Sequence, residues 1–263
     1  MKKLYTIIIS LLLLGSLFGV ASILGVQYTS FGANPYRVYD ADYNWIEIKN
    51  TGTKITDFVD KDDVYTTIDI GFDFPFYEET HNKLYLSTNG HIDFNQGSGN
   101  INYNEDGDKI PTKSNSIDTD NSWGENPLIA FFFCDLNFDP IWGKGHGSAY
   151  YQNFGDYLVI EFDGVAMWWD EDSPNPDEGT HTMQVILYKN GNIKMQYKSI
   201  SYLNDWDGNR AISGLDLDDV TGVSYDGAIR NGLALWFTTG ADPDPKALPV
   251  ANILEILKKN QQD

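Results

Sequence analysis

Residues 68–94, reading IDIGFDFPFYEETHNKLYLSTNGHIDF, restrict the fold more than any other part of the chain. Ile68, Ile70, Phe72, Phe74 and Phe76 share one parity, with Asp69, Gly71, Asp73 and Pro75 between them. Apolar residues at every second position line one face of a β-strand, because successive side chains point to opposite sides. Pro75 carries no N–H for a ladder, so this strand belongs at a sheet edge or ends there. Polar residues 78–83 read as a turn. Leu84, Leu86 and Thr88 then alternate with Tyr85 and Ser87, and Asn89-Gly90 is a strong hairpin signal because both residues tolerate positive φ. Ile92 and Phe94 begin the return. Two linked hairpins with one apolar face need a second layer to cover them.

The rest of the chain supplies that layer as strands. Tyr43, Trp45, Ile46 and Ile48 suggest a first strand, closed by Asn50-Thr51-Gly52, and residues 53–63 read as a connection. Residues 95–125 form a long polar loop. Residues 127–139, PLIAFFFCDLNFD, are a buried strand that ends in an acidic turn, with Cys134 as a small buried hydrophobe. Residues 148–152 and 157–163 form a hairpin, and 181–188 with 193–197 flank Asn190-Gly191 in another. Residues 211–217, Tyr225 and 233–238 complete nine or ten strands without a βαβ rhythm. The expected fold is all-β: an antiparallel, jelly-roll-like β-sandwich over residues 27–240.

The ends differ in character. Lys2 and Lys3 precede an uncharged apolar run over residues 4–26. Such a segment fits a secretory signal cleaved after Ala21, and its length also fits an uncleaved anchor. Either outcome exports the remainder to the exterior or the cell surface. Residues 241–247 read as a linker, and 248–259 as a short helix with Pro249 in its first turn and Lys258 and Lys259 at its C-terminal end.

The order GFDFPFY, LYLSTNGHIDF, NPLIAFFFCDLNFD, GSAYYQ with YLVIEF, and MQVILYKNGNIKMQYK resembles the nidogen-like (NIDO-type) extracellular β module and its microbial secreted relatives. The likeness runs over roughly residues 65–237. It implies an extracellular binding or structural role in adhesion or matrix contact, and it implies no catalytic residue. The chain departs from the animal versions in having no cysteine-rich neighbours, and it has Phe133-Cys134 where relatives often carry a tryptophan.

Charge narrows the partners. The 263-residue chain has 38 acidic against 18 basic residues, a formal charge of −20. That field repels nucleic acid and anionic membrane surfaces, so membrane contact is expected only through the N-terminal segment. Extracellular protein or glycan remains as partner. Closely spaced oxygen donors suit a hard cation such as Ca²⁺. Asp135, Asn137 and Asp139 form one such set, and Asp205, Asp207 and Asn209 form another around Gly208. Asp118 with Asp120 and the run 170–172 are looser. Asp/Asn turn chemistry explains the same spacings. Trp169, Trp206 and Trp123, in or beside loops, are candidates for stacking on sugars, the mark of a lectin-like alternative. A jelly-roll polysaccharide hydrolase, with Glu161 and Glu171 as its carboxylate pair, is a second alternative. No metalloprotease, nucleophile-elbow or phosphate-loop motif is present, so the chain reads as non-catalytic.

Overall fold

The computed structural model describes residues 28–31, 34–94, 127–141, 144–168, 179–201, 211–218, 221–225 and 227–240. The candidate signal or anchor, the polar loop after Asn95, the C-terminal helix, Asp118, Asp120, residues 170–172, Glu171, Asp205, Asp207, Asn209, Trp123, Trp169 and Trp206 lie outside these residues. The strands are β1 (Tyr28–Phe31), β2 (Arg37–Asp40), β3 (Thr53–Lys54), β4 (Tyr65–Phe76), β5 (Glu79–Ser87), β6 (His91–Asp93), β7 (Leu128–Phe133) and β8 (Leu136–Asn137). They continue as β9 (Ser148–Asn153), β10 (Tyr157–Met167), β11 (His181–Tyr188), β12 (Ile193–Ile200), β13 (Ile212–Asp218), β14 (Thr221–Tyr225) and β15 (Ala234–Thr238). A 3-10 turn, Thr56–Phe58, precedes β4.

Two antiparallel sheets face each other. One runs β1-β14-β13-β7-β6-β5-β4; the other runs β2-β15-β12-β11-β10-β9-β3, with β8 paired to β10. The alternation in β4 does what its sequence requires: Ile68, Ile70, Phe72, Phe74 and Phe76 are all buried, while Asp69, Gly71 and Asp73 are exposed. Its edge position accommodates Pro75. Between the sheets lies one continuous core that joins Phe74, Phe76 and Phe131 to Leu158, Phe162 and Met195, and includes Cys134.

The strand β7 departs from simple alternation. Phe131 and Phe132 are neighbours in sequence, yet both are fully buried in the inter-sheet core. Leu128, Ala130 and Phe133 pack with Ile212 in a separate cluster. The register explains how: Gly214 pairs with Ala130 and Ile212 with Phe133, so β7 carries one extra residue. This is a β-bulge, which turns two successive side chains to one face. The carbonyl of Gly90 accepts both the Phe131 N–H at 3.1 Å and the Phe132 N–H at 3.0 Å. Gly90 has φ +74°, and a Cβ there would fall 2.1 Å from the Phe132 carbonyl oxygen. The Asn-Gly turn is therefore also the seat of the bulge. Across the core, the Tyr197 hydroxyl of β12 reaches the Phe131 carbonyl at 2.7 Å and Ser213 Oγ at 2.6 Å, tying one sheet to the other.

Two expectations are corrected. Residues 79–83 continue β5 instead of forming a turn; they are polar because most of that stretch is exposed. The chain reverses at Tyr77, which takes φ 53°. Residues 43–48 are not a strand. They cross the outer face of the eight-stranded sheet as a strap, and the backbone groups of Asn44 and Ile46 bond to side chains. Asn44 N–H donates to Gln196 Oε1 at 2.6 Å and its carbonyl accepts from Gln196 Nε2 at 2.9 Å. Ile46 makes the same pair with Gln184, at 3.2 and 3.1 Å. The aromatic and aliphatic residues that looked like a strand face are there to cover the sheet: Ile48 packs on Val159 and Ile186, with Ile46 beside them.

Two substitutions test this account. Gly90→Ala is expected to lower stability by at least about 2 kcal/mol, from left-handed strain plus a backbone clash at the bulge; an unchanged urea midpoint would disprove the role given to Gly90. Tyr197→Phe keeps the ring but removes the buried hydroxyl that bonds the Phe131 carbonyl and Ser213 Oγ, so it should cost roughly 1–3 kcal/mol in the same measurement with the fold retained.

Candidate metal site between the loops

The connection that leads into β4 reads Asp60-Lys61-Asp62-Asp63-Val64. Asp60 and Asp63 both take positive φ, 55° and 47°, a conformation that Asp tolerates better than bulky residues do. Neighbouring loops lace this bend in place. The Phe138 N–H donates to the Lys61 carbonyl at 3.2 Å, and Thr88 N–H donates to the Val64 carbonyl at 2.9 Å. Val64 N–H returns a bond to Thr88 Oγ1 at 3.2 Å.

Asn89, fully buried in the Asn-Gly turn, is the bridge. Its Nδ2 donates to Asp63 Oδ1 at 2.8 Å, and its Oδ1 accepts the Leu136 N–H at 3.0 Å. One side-chain amide thus holds the bend before β4 against the bend between β7 and β8. Asp135 sits in that second bend, with its carbonyl accepting from Trp168 N–H at 2.9 Å. As a result Asp62, Asp63 and Asp135 each present a carboxylate oxygen, all within 4.8 Å of one another, and all three are partly buried. Among the described residues this is the one group of three or more His, Cys, Asp or Glu side chains close enough to share an ion.

Three carboxylates gathered out of water repel one another and lose hydration. Burial, then Asp63 and Asp139, push the Asp62 carboxyl up to about 7. Burial also raises Asp63, partly offset by the Asn89 hydrogen bond. A cation reverses both costs: it supplies the missing opposite charge and favours the ionised form. The all-oxygen donor set suits a hard ion, with backbone carbonyls and water needed to complete six to eight ligands. The triad can hold an ion.

Of the first predicted set, Asp135 joins this group. Asn137 is fully buried, and its Oδ1 accepts the Asp139 N–H at 2.6 Å; Asp139 Oδ1 accepts the Ile141 N–H at 2.7 Å. Those two side chains carry out turn chemistry on their own backbone, although Asp139 still contributes charge near Asp62. Sequence reasoning passed over Asp62 and Asp63, which lie in a stretch read only as a connection. The usable signal was an adjacent Asp pair before a strand, but its partner Asp135 is more than seventy residues away and only the fold joins them. The histidines do not converge here. His81 lies within β5, paired with Phe74, instead of in a turn. His91 is buried against Phe133, ring centroids 4.9 Å apart, and burial lowers it to about 3. Glu161 is fully buried beneath the strap.

A family model described as NIDO related matches residues 26–232. No curated protein and no solved structure matches the chain. The match covers every strand but β15, the Asn-Gly turn and all three aspartates of the acidic site, and it agrees with the strand signatures from GFDFPFY to MQYK. The chain belongs to the NIDO-related family.

Proposed function

We propose that this NIDO-related β-sandwich acts outside the cytoplasm, secreted or held at the cell surface by its N-terminal segment, as a non-catalytic module for adhesion or matrix contact. In this reading Ca²⁺ bound by Asp62, Asp63 and Asp135 stabilises the loops. The observation that supports it is the Asn89-braced triad, whose oxygens lie within 4.8 Å of one another. The ion would lock three loops of one end into a single surface fit for a partner. Extracellular Ca²⁺ is millimolar, so a weak site suffices.

A lectin-like role is the second reading. The tryptophans first considered for it lie outside the described residues, but another aromatic row favours it. Phe154, Tyr157 and Tyr188 follow one another at centroid distances of 4.8 and 5.7 Å. Beside them is a cleft of about 380 Å³ lined by Asp156, Tyr188, Lys189 and Asn190. Rings with polar neighbours suit sugar faces and hydroxyls.

Thermal unfolding in EDTA and in Ca²⁺ tests the first reading. At a hundredfold excess over Kd, the melting temperature should rise by roughly 5–10 °C. Asp63→Asn combined with Asp135→Asn should abolish the rise while leaving the metal-free protein as stable or more so, because repulsion is relieved. A missing shift, or one that survives the double substitution, rejects the site. Glycan-array binding lost on Tyr188→Ala would instead favour the second reading. Cell fractionation that finds the protein only in the cytoplasm rejects both.

A further inference from the structure

The strap across the eight-stranded sheet rests on a line of three side chains. Gln196 of β12 pairs in register with Gln184 of β11, and Gln184 with Glu161 of β10. The two glutamines bond alternate strap residues, Asn44 and Ile46, and Gln196 Nε2 also donates to Gln184 Oε1 at 2.9 Å. Glu161 is the next rung, and the next alternate strap residue is Ile48. Glu161 has no exposed surface, and neither carboxyl oxygen makes a hydrogen bond of ordinary geometry.

The chemistry of the three rungs differs in one respect. A glutamine amide offers both a donor and an acceptor to the strap. A protonated carboxyl has nearly the same shape and also carries one of each. A carboxylate has acceptors only, and in a dry site it carries an unsolvated charge. We propose that Glu161 is a pH-sensitive latch: as the neutral acid it is tolerated in the dry row beneath the strap, and its ionisation, which places an unsolvated charge there, loosens the strap from the sheet.

The surrounding charges favour this. From the strap, Tyr43, Glu47 and Lys49 face the carboxyl; from β9, Tyr150 is its register partner; from β10 and β12 come Asp163 and Lys198. The two lysines are already engaged, Lys49 with Asp163 at 2.6 Å and Lys198 with Glu47 at 3.0 Å. Burial first, then Glu47 and Asp163, raise the Glu161 carboxyl to about 7, against the weaker pull of the Ile48 amide and Lys198. The Ile48 carbonyl is itself taken by Thr51 N–H at 3.1 Å and Gly52 N–H at 2.7 Å.

The direction of the effect follows from proton counting. With the strap open, Glu161 is hydrated and titrates near its ordinary value of 4.5. Below that value both states hold the proton and the strap is most secure. Between about 4.5 and 7 only the closed state holds it, so opening becomes easier by roughly tenfold per pH unit. Above about 7 both states are ionised and the effect levels off. The proposal goes beyond the extracellular role above and does not rest on it.

Amide hydrogen exchange on the full chain, followed by NMR from pH 4.5 to 9 and corrected for intrinsic rates, tests it. Protection of the Asn44 and Ile46 amides should fall roughly tenfold per pH unit between about 5 and 7 and then flatten. In Glu161→Gln it should stay level across the range. The same decline in the variant, or no decline in the native chain, overturns the proposal. If Glu161→Gln does not fold, the Glu161 carboxyl carbon is titrated in the native protein. A midpoint near 7 that tracks the Ile46 amide shift supports the latch, and an ordinary glutamate midpoint overturns it.

Discussion

The paired bonds from Phe131 and Phe132 to the Gly90 carbonyl govern much of this structure. The bulge they close lets two adjacent phenylalanines enter the core from one strand. Phe131 then meets Phe162 of the opposite sheet edge-to-face, centroids 5.2 Å apart, and Phe132 lies near Tyr197 at 6.2 Å. Each buried ring contributes about 2–3 kcal/mol by leaving water, against about 1 kcal/mol for a hydrogen bond such as those of the turn. The aromatic layer therefore drives the sandwich together, and the bulge decides which rings take part. The bulge also sets the phase of the chain as it leaves β7, and so bears on where Asp135 emerges.

The two faces of the eight-stranded sheet are closed by different means. Its inner face is apolar and packs on the other sheet. Its outer face carries Glu161, Gln184, Lys194 and Gln196, which are buried although polar. Such a face needs a cover with hydrogen bonds to give. The strap supplies backbone groups to the glutamines, Asp42 contributes a carbonyl to Lys194 Nζ at 2.7 Å, and Ile48 fills the apolar gap over Val159 and Ile186. The arrangement satisfies Gln184, Lys194 and Gln196, which would otherwise be costly to bury, and leaves the Glu161 carboxyl as the exception.

Acidity has two separate settings in this NIDO-related domain. Among the described residues, acids such as Asp40, Asp60, Asp69, Asp73 and Glu79 are exposed to solvent. Asp62, Asp63, Asp135 and Glu161 are at least partly withdrawn from water, as are Asp93 and Asp216. The three clustered aspartates are braced together by Asn89 from a neighbouring turn, while Glu161 lies in register between Gln184 and Tyr150. The first environment gathers like charges and suits an ion; the second buries one carboxyl near Glu47 and Asp163 and favours its neutral form.

Local pattern was enough for the strands and their class. Alternation over residues 68–76, the Asn89-Gly90 and Asn190-Gly191 turns and the apolar run before Asp135 each report a backbone period or a turn preference, and these act over a few residues. The burial of Cys134 and the edge position of Pro75 were readable for the same reason. Local pattern misled at residues 43–48, because an apolar segment that covers a sheet has the same composition as a strand within one. The bulge, the Tyr197 tether and the union of Asp62 and Asp63 with Asp135 were not written in any window. The sequence by itself determined an all-β sandwich of the NIDO-related kind with a strongly acidic composition. Tertiary structure decided which carboxylates share a site and which one lies alone beneath the strap, because burial and charge proximity depend on distances through space between residues far apart in the chain.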